Sequence, residues 1–100
     1  SAIEYAEANF ENLLTLKNIS KLYFINEKYL GKLFKQQTGI TFHEYLNNLR
    51  LEKSKALLIS TDKNIIDIAL DSGFQNVTYY NRVFMKKYNI TPSKYKELHK

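Results

Sequence analysis

The side chains best suited to metal binding or acid–base catalysis are two histidines and one pair of aspartates. His43 and His99 lie more than fifty residues apart, and neither belongs to a pattern with metal-ligand spacing. Asp67 and Asp71 lie four residues apart, which places both carboxylates on one helix face, but such pairs are usually solvated or paired with lysine. The chain has no cysteine and no glycine-rich loop that could hold a nucleotide phosphate. These residues predict neither an enzyme nor a metal or cofactor site.

Basic residues are more numerous and indicate a different chemistry. Fifteen Lys and Arg against ten Asp and Glu give the 100 residues a net charge of +5, which favours a polyanionic partner such as nucleic acid or an anionic membrane surface. A membrane is the weaker partner, because the basic residues are scattered over the chain and no apolar run could span a bilayer. Glu4, Glu7 and Glu11 crowd the first segment, so we expect that segment to face away from the anion. We expect a cytoplasmic protein.

Apolar residues recur at three- and four-residue spacing along almost the whole chain, which predicts an all-α fold of seven helices. Residues that favour helix starts precede six of these helices: Thr15, Asn26, Thr41, Asn64, Asn76 and Thr91. The predicted inner faces of the first three helices carry Ile3, Ala6, Phe10 and Leu13, then Leu16, Ile19 and Leu22, then Tyr29, Leu30, Leu33 and Phe34. Gly39 and Gly73 mark turns.

The second half of the chain repeats the first. Six residues return fifty positions later in the same order, namely Asn26, Tyr29, Phe34, Ile40, Thr41 and Tyr45 as Asn76, Tyr79, Phe84, Ile90, Thr91 and Tyr95. Upstream of the turn the offset is one residue shorter, because Ile19 matches Ile68, so one turn is a residue longer than the other. Each repeat is therefore a short helix, a tight turn and a second capped helix, which is the layout of a helix-turn-helix motif.

The chain resembles the DNA-binding domain of AraC/XylS-type transcription regulators over nearly its whole length. The matching strings are Tyr29–Lys35 with Thr38-Gly39, Leu49–Lys53 with Ala56–Leu58, Ile65–Ala69, Gly73-Phe74, Tyr79–Phe84 and Thr91–Tyr95. The resemblance implies two helix-turn-helix subdomains, at about 16–37 and about 65–87, joined by a linker helix at about 42–59. Its implied partners are double-stranded DNA, RNA polymerase and an N-terminal sensor or receiver domain. Because the chain begins with Ser1, we expect it to be excised from a longer protein.

One departure from the family lies in the first turn. Phe24 stands where many members carry glycine, which the second repeat retains as Gly73, so a tighter or different backbone is expected there. This variant resembles members that are fused to two-component receivers. Ser20 replaces a small Ala that the second repeat keeps as Ala69, and a packed serine there would hydrogen-bond its own helix.

The resemblance selects outward residues at the start of each second helix for base contacts: Lys28, Gly31 and Lys32 in the first motif, and Val77, Thr78, Asn81 and Arg82 in the second. Arg82 can donate two bonds to guanine and Asn81 can pair with adenine, whereas Gly31 has no side chain to read a base. Candidates for phosphate contacts are Lys35, Thr41, Lys86, Lys87, Thr91, Lys94 and Lys96. Arg50 is interpreted as structural, bridged to a carboxylate such as Asp67 or Asp71.

These residues predict sequence-specific binding of a monomer to an asymmetric site, with the two second helices in successive major grooves about one helical turn, roughly 34 Å, apart. Two alternatives stay open. The lysines of the third helix can form an ordinary solvated face. The whole domain can be a basic helical module that docks onto another protein and has only non-specific affinity for DNA.

Overall fold

The computed structural model describes residues 2–12 and 14–99, and within these ranges the chain forms seven α-helices and no strand. The helices are α1 (Ala2–Asn9), α2 (Leu16–Leu22), α3 (Glu27–Thr38), α4 (Phe42–Ser60), α5 (Ile65–Asp71), α6 (Val77–Tyr88) and α7 (Pro92–Leu98). The prediction of an all-α fold is confirmed. The first helix is shorter than its predicted apolar face, because α1 ends before Phe10, and the predicted Leu13 lies outside the described residues.

The chain divides into two compact units inside α4, between Leu49 and Arg50. The first unit, residues 1–49, has a buried cluster of Ala6, Ile19, Leu30, Phe34, Phe42 and Leu46. Phe34 is the centre of its aromatic packing, with the rings of Phe42 and Tyr45 meeting it edge-on at centroid distances of 5.0 and 5.1 Å. Such edge-to-face pairs add to the burial of apolar area that stabilises the unit.

The second unit, residues 50–100, has a buried cluster of Leu51, Leu58, Ile68, Ala69, Phe74, Tyr80 and Phe84. Tyr80 has no exposed surface, and its burial raises the pKa of the hydroxyl to about 12. The C-terminal half of α4 is tied to α6 by Tyr88, whose hydroxyl donates to Glu52 Oε1 at 3.3 Å and whose ring lies 4.6 Å from Lys55 Nζ. α6 therefore packs through both its aromatic face and its last turn.

The sequence repeat is also a structural repeat. α3 and α6 each contain 12 residues and begin fifty positions apart, after the N-caps Asn26 and Asn76. The Oδ1 atoms of these asparagines accept the backbone N–H of Tyr29 at 3.1 Å and of Tyr79 at 2.8 Å, as helix N-caps do. Both helices end in a left-handed residue, Gly39 with φ 80° and Asn89 with φ 58°. The predicted helix starts at these residues are confirmed.

The two turns share one hydrogen-bond pattern. In the first, Ile25 N–H donates to Ser20 O at 2.9 Å across the left-handed Phe24, and in the second, Phe74 N–H donates to Ala69 O at 3.0 Å across Gly73. This bond from the second residue beyond the cap, together with the left-handed residue, defines a Schellman motif. The second turn carries one additional residue, Gln75, before its N-cap, as the change of offset predicts.

Phe24 has an unusual conformation for an aromatic residue, because its φ is 55° and its side chain is 96% exposed. A left-handed backbone costs an L-residue about 1–2 kcal/mol. Glycine avoids this cost, but it loses more backbone entropy on folding, which offsets part of the gain. We therefore expect Phe24→Gly to raise the free energy of unfolding by about 1 kcal/mol in urea titrations followed by circular dichroism. Phe24→Ala separates the ring from the backbone and should give no gain. The control in the second repeat is Gly73→Ala, which should lower the free energy of unfolding by about as much as Phe24→Gly raises it. A lower free energy of unfolding in Phe24→Gly would contradict the strain argument.

Two predicted core residues are exposed, and the second repeat explains both. Leu22 is 51% exposed, and its counterpart is the exposed Asp71, so this register lies outside the core in both units. Tyr29 is 59% exposed, whereas its counterpart Tyr79 is half-buried with its ring 6.2 Å from that of Phe74. The residue that corresponds to Phe74 in the first unit is Ile25, which offers no ring for Tyr29 to pack against.

Ser20 is buried, at 6% exposed, and its hydroxyl donates to Lys17 O at 2.8 Å. The predicted bond of this serine to its own helix is therefore confirmed. This bond gives the buried Ser20 hydroxyl the hydrogen-bond partner that it needs. The second unit has Ala69 at the equivalent position, which carries no polar side-chain atom.

Candidate nucleic-acid interface

α6 presents a polar outer face on a firmly packed helix. Tyr80 and Phe84 are fully buried on its inner side, while Thr78, Asn81 and Arg82 are exposed on the other. The Asn76 cap fixes where the helix begins, because its Oδ1 accepts the backbone N–H of Tyr79. Three of the four predicted base-contact residues of this motif therefore share one accessible face.

Val77, the fourth predicted base-contact residue of this motif, is half-buried and packs against the core cluster of the second unit. Val77 therefore lies at the edge of the exposed face of α6, where the accessible part of its apolar side chain can still contact a bound molecule.

The Arg82 guanidinium carbon lies 5.8 Å from the centroid of the Tyr79 ring. An arginine at this distance from an aromatic face is weakly held by it, which limits its conformations and leaves its five N–H donors available. The planar fork of these donors matches the two acceptors of a guanine edge. Arg82 is thus both the strongest base-reading candidate by chemistry and the one with a visible positioning contact.

α3 presents a more basic and less varied face. Lys28, Lys32 and Lys35 are exposed, and Gly31 lies between them in the sequence. A Cβ atom built on Gly31 would be 3.0 Å from Leu16 Cδ2, so the absence of a side chain lets α2 approach α3 closely. Gly31 is therefore explained by packing in the structure, and at this register the second unit carries the exposed Asn81 instead.

The predicted phosphate-contact residues differ in how firmly they are held. Lys35, Lys86 and Lys87 are exposed on the second helices, and Lys87 Nζ lies 5.6 Å from the Tyr88 ring. Lys94 Nζ lies 3.8 Å from Glu97 Oε1, an exposed pair that contributes little and can be exchanged for a phosphate.

Lys96 and the two threonines already make bonds within the protein. Lys96 Nζ donates to Lys63 O at 2.7 Å, which joins α7 to the segment before α5. Thr41 and Thr91 are N-caps, and each Oγ1 accepts a backbone N–H at 3.1 Å, from Glu44 and Lys94 respectively. Their hydroxyl protons are left to donate, which is the role that a phosphate oxygen requires.

Arg50 is buried, at 9% exposed, and burial lowers the pKa of its guanidinium. A charged group in this environment stabilises the fold only through its partners, which agrees with the structural interpretation of this residue. Asp67 and Asp71 are the predicted candidate partners of Arg50. Asp71 is paired with Lys63, because its Oδ2 accepts from Lys63 Nζ at 2.6 Å. The bridge from Arg50 to one of these carboxylates stays a prediction.

Met85 is one residue of the outer face of α6 that the sequence interpretation did not name. It is 47% exposed and lies three residues after Arg82 and seven after Thr78. This spacing returns to the same side of a helix, so helical periodicity counted from Thr78 could have found it.

The part of the chain that the structure describes contains no helix that is long and apolar enough to cross a membrane. Within residues 2–12 and 14–99 there is also no group of three or more His, Asp or Glu residues that could hold a metal ion. The candidate functional surfaces are the exposed polar faces of α3 and α6.

Two helix pairs of this kind, each with a tight turn and a capped second helix that is polar on its outer side, define a helix-turn-helix protein. A family model described as a helix-turn-helix domain matches residues 19–98. A solved AraC-type DNA-binding transcriptional regulator from Chromobacterium violaceum is similar, with 31% identity, a TM-score of 0.85 and coverage of 98% of this chain and 88% of that one. The chain belongs to the AraC-type family of helix-turn-helix domains.

Two further relatives are regulatory proteins in which the matching domain is one part of a longer chain. The C-terminal domain of the two-component response regulator yesN from Fusobacterium nucleatum is 35% identical, with a TM-score of 0.88, and covers 93% of this chain and 91% of that chain. The regulatory protein PocR of Salmonella typhimurium is 31% identical over 96% of this chain. The chain spans only about a third, 32%, of the length of PocR.

Proposed function

We propose that the chain binds double-stranded DNA in a sequence-specific manner, with α3 and α6 each entering a major groove, as the output domain of a bacterial transcription regulator. The outer face of α6 carries the proposal, because Thr78, Asn81 and Arg82 are exposed together on a helix whose inner face is fixed by buried rings. Side chains of these types at the start of a groove-binding helix are those that distinguish base pairs.

The outer faces of α3 and α6 differ, which supports an asymmetric site read by a monomer. α3 offers the amines of Lys28 and Lys32, whereas α6 offers a hydroxyl, an amide and a guanidinium. Two half-sites about one helical turn apart are therefore expected to have different sequences. The phosphate contacts are assigned to the lysines and threonines named above, with the net charge of +5 in support.

The partners of the whole protein are proposed with the support of its relatives. The similarity to the C-terminal domain of a response regulator supports an N-terminal receiver or sensor domain in the full-length protein. We extend the proposal to RNA polymerase as a further partner, to the cytoplasm as the location of the protein, and to a function without catalysis. The relatives named above are a transcriptional regulator, a response regulator and a regulatory protein.

The test is a selection from a random duplex pool, followed by fluorescence-anisotropy titrations of the recovered duplexes at about 50–200 mM salt. We expect enrichment of one asymmetric sequence with two half-sites about one turn apart, bound in preference to competitor DNA. A Lys32→Ala/Arg82→Ala variant is the control. It should retain a salt-dependent affinity for any duplex, reduced by the loss of two positive charges, and lose the preference.

Binding that enriches no sequence and vanishes as salt rises would contradict the proposal. The chain would then be a basic helical module that docks onto another protein, with only non-specific affinity for DNA. The wild-type domain and its double variant would in that case select the same unbiased pool.

A further inference from the structure

The two second helices differ most in chemical type at one exposed register. Position 35 of α3 is Lys35, and the equivalent position of α6, fifty residues later, is Met85. Both side chains are exposed, at 47% in the case of Met85. An amine can neutralise a phosphate, but a thioether cannot, so the two helices cannot use this position for the same contact.

Met85 lies on the outer side of α6, one turn beyond Arg82. Thr78, Asn81, Arg82 and Met85 follow the spacing of residues that lie on one side of a helix. Met85 lies outside the buried cluster of the second unit, so the core does not account for an apolar side chain here. Its backbone is held in the helix, since Met85 O accepts the N–H of Asn89 at 2.8 Å.

The major groove offers one kind of apolar group to such a side chain. This group is the 5-methyl of thymine, because the other base edges present hydrogen-bond donors and acceptors. An unbranched and polarisable side chain suits a contact whose geometry varies with the path of the helix in the groove. The chemistry of the face and of the groove thus agree at this position.

We propose that Met85 is a further specificity residue that contacts the methyl group of a thymine in the half-site read by α6. The inference rests on the proposed DNA binding by this helix. Met85 lies about 10 Å along the helix axis from Thr78, which corresponds to about three base-pair steps. Counted from the base pair next to Thr78, the thymine is therefore expected beyond the base pair that Arg82 reads.

The experiment replaces each thymine of the selected duplex in turn by deoxyuridine, which removes only the methyl group. Wild-type domain should lose affinity about fourfold at the thymine next to Met85, the effect of one buried carbon on binding. Met85→Gln should bind this duplex more weakly but show no further loss at that one substitution. Met85→Leu, which remains apolar, should retain the methyl effect. The three residues have similar helix propensity, so unfolding midpoints should stay unchanged.

A third variant, Met85→Lys, places the residue of the first repeat in the second. It should bind all duplexes more tightly at low salt, lose the methyl effect and steepen the salt dependence by about one phosphate contact. The role of Met85 would be overturned, with DNA binding left intact, if loss of the methyl group at each thymine weakened binding of the wild type and of Met85→Gln by the same factor. A wild-type domain that selects no duplex would overturn both proposals together.

Discussion

Replacing Arg82 by alanine is expected to reduce affinity for the selected duplex by about 1–3 kcal/mol and to relax discrimination at one base pair. The reason is geometric, because the guanidinium is exposed, lies 5.8 Å from the Tyr79 ring and can donate two parallel bonds to a guanine edge. Anisotropy titrations against the selected duplex and its three single-base variants at that position measure both effects. The loss should be confined to the preferred base pair, so that the four duplexes converge to similar affinities.

Two substitutions separate base reading from charge. Arg82→Lys keeps the positive charge but not the planar fork, so it should lose most of the discrimination and keep the salt dependence. Lys86→Ala, at an exposed position on the same helix, should weaken binding to all four duplexes alike and reduce the salt slope by about one. An Arg82→Ala domain that still prefers the same base at this position would show that another residue reads it.

Replacing Phe84 by alanine is expected to lower the free energy of unfolding of the second unit by about 3–5 kcal/mol. Phe84 has no exposed surface, and its ring lies 5.7, 4.7 and 5.6 Å from the rings of Tyr80, Tyr88 and Tyr95. Alanine would leave a cavity among three rings that α6 and α7 hold in place, and the cost of such a cavity increases with its volume. The loss is large beside the roughly 5–15 kcal/mol that stabilises a domain of this size.

Urea titrations followed by helical circular dichroism measure the loss. The matched control is Phe34→Ala, which removes the equivalent ring of the first unit, 2% exposed and in contact with Phe42 and Tyr45. Phe84→Leu, which fills most of the volume, should cost less than half as much as Phe84→Ala, about 1–2 kcal/mol. A loss below about 1 kcal/mol in Phe84→Ala would mean that the site collapses around the smaller side chain and that the ring cluster is not a stabilising core.

The selection of a base-reading face could be predicted to a large extent before the structure. Asn76 caps its helix by a bond that spans only three residues and so fixes where α6 begins, and the spacing of Tyr80 and Phe84 indicates its inner side. Thr78, Asn81 and Arg82 are exposed as a result. Which atoms of DNA these residues and the predicted phosphate contacts reach stays a prediction.

Some features of the predicted contact residues depended on distant parts of the chain and could not be predicted locally. Gly31 has a packing role only because Leu16 lies 3.0 Å from where its Cβ would be. Lys96, predicted as a phosphate contact, donates to the Lys63 carbonyl, a bond between residues that are 33 positions apart. Neither partner is encoded by the spacing of residues along one helix, because spacing reports the direction of a side chain and not what lies there.

The sequence by itself determined the seven helices, their caps and the two unequal turns, because each of these depends on bonds within about five residues. The repeat adds to this local information, since the same caps recur at Asn26 and Asn76. Only the tertiary structure decided which apolar residues are buried. Tyr29 and Tyr79 occupy the same register, yet the first is 59% exposed and the second packs 6.2 Å from Phe74, because burial depends on the neighbour that another segment supplies.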